Sequence, residues 1–217
     1  MMDTYSMKRG YVEPGVVTGK PIVLGGSLGR EAATGRGIVV TTREALRDLG
    51  MSIEGVRVAV QGFGNVGSNA AVILSKLGVS TIAVGDHTGY LFNSEGFNTH
   101  KLQDHVKATG SISGYPNGKA ITREEFFATK ANIFAPCALE NQIGEAEAKS
   151  MDTKVVVEGA NGPCTPEGEK ILLDRGITVI PDVLANAGGV TVSYYEWVQN
   201  KRSESWDLEE VDQRLET

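Results

Sequence analysis

Apolar and polar positions along this chain follow two alternating periods. Two short apolar runs, Val56 to Val60 and Val79 to Val84, flank a stretch in which Val66, Ala70, Ile73, Leu74 and Leu77 recur at helical spacing. Short continuous apolar runs read as strands buried on both faces, and the helical recurrence reads as a helix packed on them. The alternation continues, with strands expected at Ile133–Ala135, Val155–Val157 and Thr178–Ile180 and helical stretches at Asn141–Lys149 and Pro166–Arg175. Thr165 and Pro166 suit the cap and first position of the latter. Upstream, a helix from near Thr34 carries Ile38, Val39, Ala45, Leu46 and Leu49 on one side and stops at Gly50. Gly188-Gly189 opens another, to about Asn200.

The ends are less regular. Residues 3–30 are rich in turn-formers, among them Pro14-Gly15 and Gly25-Gly26-Ser27-Leu28-Gly29, and predict no long element. Residues 88–120 read as an irregular excursion with one short helix near Thr99–Lys107. At the C-terminus, Asp207 and Glu210 fit a capping box, with Trp206 and Val211 as the hydrophobic staple around it. Leu208, Val211 and Leu215 form an apolar stripe expected to be exposed and sticky.

Strands alternating with helices define an α/β fold with a mostly parallel sheet and helices on both faces. One turn gives it chemistry. Val58-Ala59-Val60-Gln61 runs into Gly62-Phe63-Gly64-Asn65-Val66-Gly67, a G-x-G-x-x-G sequence between strand and helix. That order suits a dinucleotide. Gly62 allows the tight turn, Gly64 lets the backbone approach a pyrophosphate, and Gly67 lets helix and strand pack closely. The phosphates would face unpaired N–H groups at the positive end of the helix dipole. Asp86 ends the second strand, 24 positions after Gly62, where a carboxylate can accept from an adenosine ribose. A glycine turn beside a surface aspartate is the plain alternative. The expected architecture is therefore Rossmann-like and doubly wound.

Composition narrows the partners. A formal net charge of −6 gives no bulk attraction to nucleic acid or anionic membranes. No apolar run is long enough to span a bilayer. Two cysteines, Cys137 and Cys164, cannot build a disulfide framework, which fits a cytoplasmic protein. His100 and His105 share no helix face, and no metal site is read.

Further stretches carry a resemblance. They include Thr18-Gly19-Lys20-Pro21, Gly25-Gly26-Ser27-Leu28-Gly29-Arg30, Ala33-Thr34-Gly35-Arg36-Gly37 and Ala138-Leu139-Glu140-Asn141-Gln142. They continue with Glu158-Gly159-Ala160-Asn161-Gly162-Pro163 and with Asn186-Ala187-Gly188-Gly189 through Ser193-Tyr194-Tyr195-Glu196-Trp197. Together with the glycine turn they resemble the glutamate dehydrogenase branch of the Glu/Leu/Phe/Val dehydrogenases, nearly end to end. The resemblance implies the cofactor domain of an enzyme that reversibly converts L-glutamate to 2-oxoglutarate and ammonia. It implies NAD or NADP as cofactor, a separate substrate domain bearing the catalytic lysines and aspartate, and a homohexameric parent. On it, residues 1–33 are an entry segment from the substrate domain, 34–200 the dinucleotide-binding domain, and 201–217 the start of a truncated helical segment. The isolated fragment is expected to be inactive, with no general acid or base of its own.

The resemblance also assigns roles. Thr34 and Asn65 match positions that hold the nicotinamide amide, with helix capping and turn preference as their ordinary alternatives. Asn161 follows a strand end and matches a nicotinamide-ribose contact, and Ala138 lines the adenosine side. Asn186 and Ser193 match the cleft between domains, Ser193 touching the substrate's side-chain carboxylate. The cofactor-binding set is thus Thr34, Gly62, Phe63, Gly64, Asn65, Val66, Gly67, Asp86, His87, Ala138, Asn161 and Asn186. Asp86 favours NAD by repelling a 2′-phosphate, while His87 and Thr88 can hydrogen-bond one and leave NADP open. Cys164 stands where the family pattern has threonine, which puts its local cofactor contact in doubt. A stand-alone nucleotide-binding module and an apolar amino-acid dehydrogenase remain the competing readings.

Overall fold

The computed structural model describes residues 1–217. In chain order the elements are α1 (Met2–Arg9), α2 (Ala33–Asp48), β1 (Arg57–Gln61), α3 (Asn65–Lys76), β2 (Ser80–Asp86) and β3 (Gly89–Phe92). They continue as α4 (Thr99–Thr109), β4 (Lys119–Ile121), α5 (Arg123–Phe127), β5 (Ile133–Pro136), α6 (Glu145–Ser150) and β6 (Val155–Val157). The last are α7 (Pro166–Asp174), β7 (Thr178–Ile180), α8 (Asp182–Ala185), α9 (Gly188–Arg202) and α10 (Leu208–Glu216).

One seven-stranded sheet runs in the order β4-β3-β2-β1-β5-β6-β7. The strands β2, β1, β5, β6 and β7 pair in parallel, so the expected doubly wound α/β architecture is present. Alternate residues of each central strand enter different cores. Val58, Val60, Ile133, Ala135, Val155 and Val157 join Ile38 and Leu46 of α2 and Ala70 and Leu74 of α3. Ala59, Phe134 and Val156 join Phe126 and Phe127 of α5, Ala148 of α6 and Leu172 of α7. Because side chains alternate across a strand, this two-sided burial is what makes the strands read as unbroken apolar runs. From β1 the chain goes to β2 on one side and later returns to β5 on the other. The carboxyl ends of β1 and β5 therefore flank a topological switch point, where open α/β sheets form a crevice.

Four expectations need correction. The excursion at 88–120 contains β3 and β4, which pair antiparallel and widen the sheet. A two-residue turn, His87-Thr88, joins β2 to β3 with Asp86 opposite Gly89. Strands of four and three residues are too short to show a period, and their pairing supplies the order. Second, residues 2–9 are helical. Helix α1 buries no residue, so it lacks the apolar stripe that betrays a helix. Its signals are Asp3 in the first turn, Lys8 and Arg9 in the last, and Gly10 in the left-handed region at φ 79°. Third, the helix expected from Asn141 begins at Glu145. Asn141 takes φ 55° and its N–H donates to Gly162 O, so the chain turns there. Fourth, the apolar stripe of α10 is mostly covered. Val211 is fully buried beside Trp206 and Val192, Leu215 packs on that cluster, and only Leu208 is exposed. The Asp207 cap is half of the expected capping box, since Asp207 accepts from Glu210 N–H at 2.8 Å while Glu210 pairs with Arg214, and the Trp206–Val211 staple around it packs α10 against α9.

Candidate functional site

The glycine turn is built as the sequence predicts. Gly62 has φ 87° and its N–H donates to Gly85 O at 2.7 Å, tying the end of β1 to β2. A Cβ on Gly62 would lie 2.7 Å from the Ala138 backbone, and one on Gly67 would lie 2.0 Å from Gly62 O. Both positions therefore exclude any side chain. Gly64 differs, since a Cβ there would meet no atom within 4 Å. It caps α3 with no side-chain hydrogen bond, so the first-turn N–H groups face open space at the positive helix end. Phe63 is buried and its ring belongs to the core.

Two cavities meet over the loop after β5, where both are lined by Cys137, Ala138 and Leu139. The first, about 680 Å³, gathers Thr34, Val66, Asn161, Asn186 and Ser193, five residues from five parts of the chain. Thr18, Arg30 and Gly189 complete its far wall. The second, about 670 Å³, gathers Gly62, Phe63, Gly64, Asp86 and His87, with Gln61, Thr88, Tyr90 and Gln142. Ala138 is thus shared, whereas Asn65 and Gly67 line neither cavity.

Some polar groups in the first cavity are held and others are free. Thr34 lies inside α2, which starts at Ala33, so it does not cap the helix and its hydroxyl is left for the cavity. Asn186 ends α8, and its amide donates to Asn161 Oδ1 at 2.7 Å. The loop carrying Asn161 is braced from behind. Asp182 accepts from Gly162 N–H at 2.8 Å, while the Asp182 N–H donates to the buried Glu158 at 3.0 Å. Burial raises the Glu158 carboxyl above its ordinary range. Cys164 lies beside Glu158 and lines neither cavity; burial, then the Glu158 hydrogen bond, raises its thiol pKa. Burial likewise pushes the Cys137 thiol up to about 12. Asn65 donates to Glu31 O at 2.9 Å and accepts from Asn69, which fixes its amide to the segment entering α2.

Arg30 and Thr18 are site residues that the sequence reading quoted in motifs but gave no role. Arg30 Nε donates to Ser193 Oγ at 2.9 Å, and Ser193 Oγ donates to Gly189 O at 3.1 Å. The remaining guanidinium nitrogens of Arg30 have no hydrogen-bond partner. The two residues are 163 positions apart, so no local pattern announces the pair. Lys20, quoted above only within the Thr18–Pro21 stretch, has a buried side chain. Its ammonium reaches Glu196 Oε1 at 2.5 Å, with side-chain exposures of 5% and 0%.

In the second cavity Asp86 is shared with the protein. Oδ1 accepts from Thr88 N–H at 2.7 Å and Thr88 Oγ1 at 2.5 Å, and Oδ2 accepts from Ile112 N–H at 2.7 Å. A carboxylate has about four acceptor positions, so roughly one remains for a ligand. His87 is exposed with no hydrogen-bond partner.

A doubly wound α/β sheet, a glycine turn opening an uncapped helix, and a polar crevice at the switch point define the class to which the chain belongs. Its residues 25–217 match the model of the Glutamate/Leucine/Phenylalanine/Valine dehydrogenase family, and the chain belongs to that family. Among curated relatives, it is 51% identical over 216 residues to the glutamate dehydrogenase of Thermotoga maritima, covering 99% of this chain and 52% of that one. It is 47% identical over 216 residues to the cryptic catabolic NAD-specific glutamate dehydrogenase of Bacillus subtilis, covering 100% and 50%. Among solved structures, the hetero-hexameric glutamate dehydrogenase of Thermus thermophilus in its Leu-bound form superposes with a TM-score of 0.92 at 39% identity, over 99% of this chain and 51% of that one. The enzyme from Peptoniphilus asaccharolyticus gives 0.84 at 38%, over 99% and 51%. The chain thus spans about half the length of the relatives it matches.

Proposed function

We propose that this chain is the cofactor-binding half of a glutamate dehydrogenase and that the two joined cavities hold one nicotinamide dinucleotide, NAD in preference to NADP. One observation carries this reading. The glycine turn stands between a cavity containing Asp86 and a cavity containing Thr34, Asn161 and Asn186, so the pyrophosphate position separates an adenosine end from a nicotinamide end. The residues fit the ligand. Gly64 leaves open space over the helix start, where a side chain would collide with a phosphate. The one acceptor position remaining on Asp86 suits a ribose hydroxyl, and its charge opposes a 2′-phosphate. Several relatives are named NAD-specific, which supports the same preference.

The nicotinamide ring supplies the hydride donor or acceptor when bound. This chain orients it, with Thr34 and Asn65 toward the carboxamide and the Asn161–Asn186 pair toward the ribose. Ser193 and the free guanidinium nitrogens of Arg30 offer donors to a substrate carboxylate at the far wall. The reaction, in this reading, is the reversible oxidative deamination of L-glutamate to 2-oxoglutarate and ammonia. The lysines and the aspartate that activate water and move protons belong to a separate substrate domain, so the fragment alone binds without turnover. The hexameric assembly of the Thermus relative supports an oligomeric parent.

Titration of this chain with NADH and NADPH, followed by nucleotide fluorescence, tests the reading. Saturable NADH binding at least tenfold tighter than NADPH is expected. Equal affinities would shift the discriminating role to His87 and Thr88, and no binding of either would overturn the site.

A further inference from the structure

The first cavity has one wall made by residues far apart in sequence. Thr18 lies on the loop before Lys20, and Ser193 lies on α9 one turn before Glu196. Between them is a buried carboxylate with every partner drawn from that loop. Glu196 Oε2 accepts from Gly19 N–H at 2.9 Å, and Oε1 accepts from Lys20 N–H at 3.3 Å and from the Lys20 ammonium. The ammonium also donates to Val17 O at 2.8 Å, closing the loop on itself. Gly19 takes φ 76°, a conformation that lets two successive N–H groups reach one carboxylate. On the loop's other side, a Cβ on Gly26 would lie 2.0 Å from Lys20 O, so the backbone has no room to retreat.

We infer that Lys20 and Glu196 are a positioning pair that sets the nicotinamide-side wall of the cleft, fixing Thr18 and Ser193 relative to each other without touching the ligand. This rests on the proposed function and extends it to two residues buried behind the site. Two buried charges in exchange for hydrophobic packing would be a weak way to gain stability. What the pair does supply is geometry. A short, charge-assisted contact with three further hydrogen bonds admits one register of loop against helix. Gly189, on the same helix and wall, sits so close to Thr34 that a Cβ there would lie 2.5 Å from Thr34 Oγ1, so a wall shift of an ångström is passed on to the nicotinamide end. The adenosine end lies across the glycine turn and shares no residue with this wall.

NADH and ADP-ribose separate the two ends, because ADP-ribose lacks the nicotinamide. Their affinities are compared, by calorimetry on this chain, for the native protein, Glu196→Gln and the double variant Lys20→Met with Glu196→Gln, each first checked for folding by circular dichroism. Glu196→Gln keeps the shape and removes the charge that orders the loop. A loss of NADH affinity of tenfold or more, with ADP-ribose affinity within twofold of native, is expected. The double variant removes both charges and should still lose NADH selectively, since no pair remains to fix the register. Equal losses for both ligands would make the pair a stabiliser of the whole fold and overturn the inference, as would no loss for either. Should a variant fail to fold, Glu196→Asp tests the pair directly by keeping the charge and withdrawing the carboxylate one methylene from the loop, with a selective NADH loss of threefold or more expected and none overturning the inference. Native protein that binds neither ligand would overturn the proposed function itself, an outcome distinct from these.

Discussion

The two ends of the cleft are held by different means. At the adenosine end the restraints are made mainly by backbone groups. Gly62 turns within the β1–α3 crossover, and Asp86 is bound by Thr88 two residues away, with Ile112 the one distant partner. At the far wall the restraints are side-chain pairs over great distance, Lys20 with Glu196 across 176 positions and Arg30 with Ser193 across 163. Local backbone geometry tolerates no side chain but needs no partner. A distant pair tolerates neighbouring substitutions but fails when either member is lost. The adenosine end should therefore break sterically, and the far wall electrostatically.

The largest effect is expected at the wall. Lys20→Met leaves the Glu196 carboxylate buried and without its counter-charge, which costs on the order of 3–5 kcal/mol. Urea unfolding followed by tryptophan fluorescence measures this directly. A loss below about 1 kcal/mol, the level of an exposed pair, would mean that water reaches Glu196 and that the contrast is wrong. Next comes Gly67→Ala. Its Cβ would lie 2.0 Å from Gly62 O and 2.9 Å from Val60, against strand and turn rather than a flexible side-chain end. Overpacking of this kind costs about 1–3 kcal/mol, and here the strain should also distort the turn and weaken NADH and ADP-ribose alike. Unchanged affinity with lowered stability would separate the turn from the ligand.

The smallest effect sharpens the comparison between two buried acids. Glu196 has a counter-charge, whereas Glu158 is raised mainly by burial. A raised folded-state pKa means that the group's stabilisation is present below the unfolded carboxylate range and is lost as pH rises through the folded value. Native stability should therefore decline as pH increases above the ordinary glutamate range. In Glu158→Gln this part of the pH dependence should vanish, as denaturant midpoints recorded across that window would reveal. An identical slope in both proteins would assign the dependence elsewhere.

Much of this molecule is legible in order of sequence separation. The glycine turn, the strand ends and the Thr165 cap of α7, whose hydroxyl accepts from Gly168 N–H at 3.1 Å, each depend on neighbours within a few positions. The strand β6 is read to the residue because burial on both faces makes it uniformly apolar, and β7, at the sheet edge and only half-buried, is read from its Val179-Ile180 pair after the helix. The strands β3 and β4 were not legible, since a run of three or four residues has no period and becomes a strand only through its partner. Helix α1 was missed for the opposite reason, its polarity all round leaving charge placement as the sole signal. In the cleft, the motif residues other than Asn65 and Gly67 line the two joined cavities, but Arg30 and Lys20 acquire meaning only beside Ser193 and Glu196.

By itself the sequence determined the alternation of strand and helix, the turn from Gly62 to Gly67 whose two end glycines exclude a side chain, and the acid at Asp86. Those follow from short-range sterics, hydrogen-bond chemistry and the repeat of apolar positions. The tertiary structure alone decided which side chains share a wall. It widened the sheet by an antiparallel hairpin, tied Asp86 to Ile112, covered Val211, and brought a lysine from a glycine-rich loop against a buried glutamate on α9. A charge can be buried only where a distant partner arrives to meet it, and no stretch of sequence states where that will be.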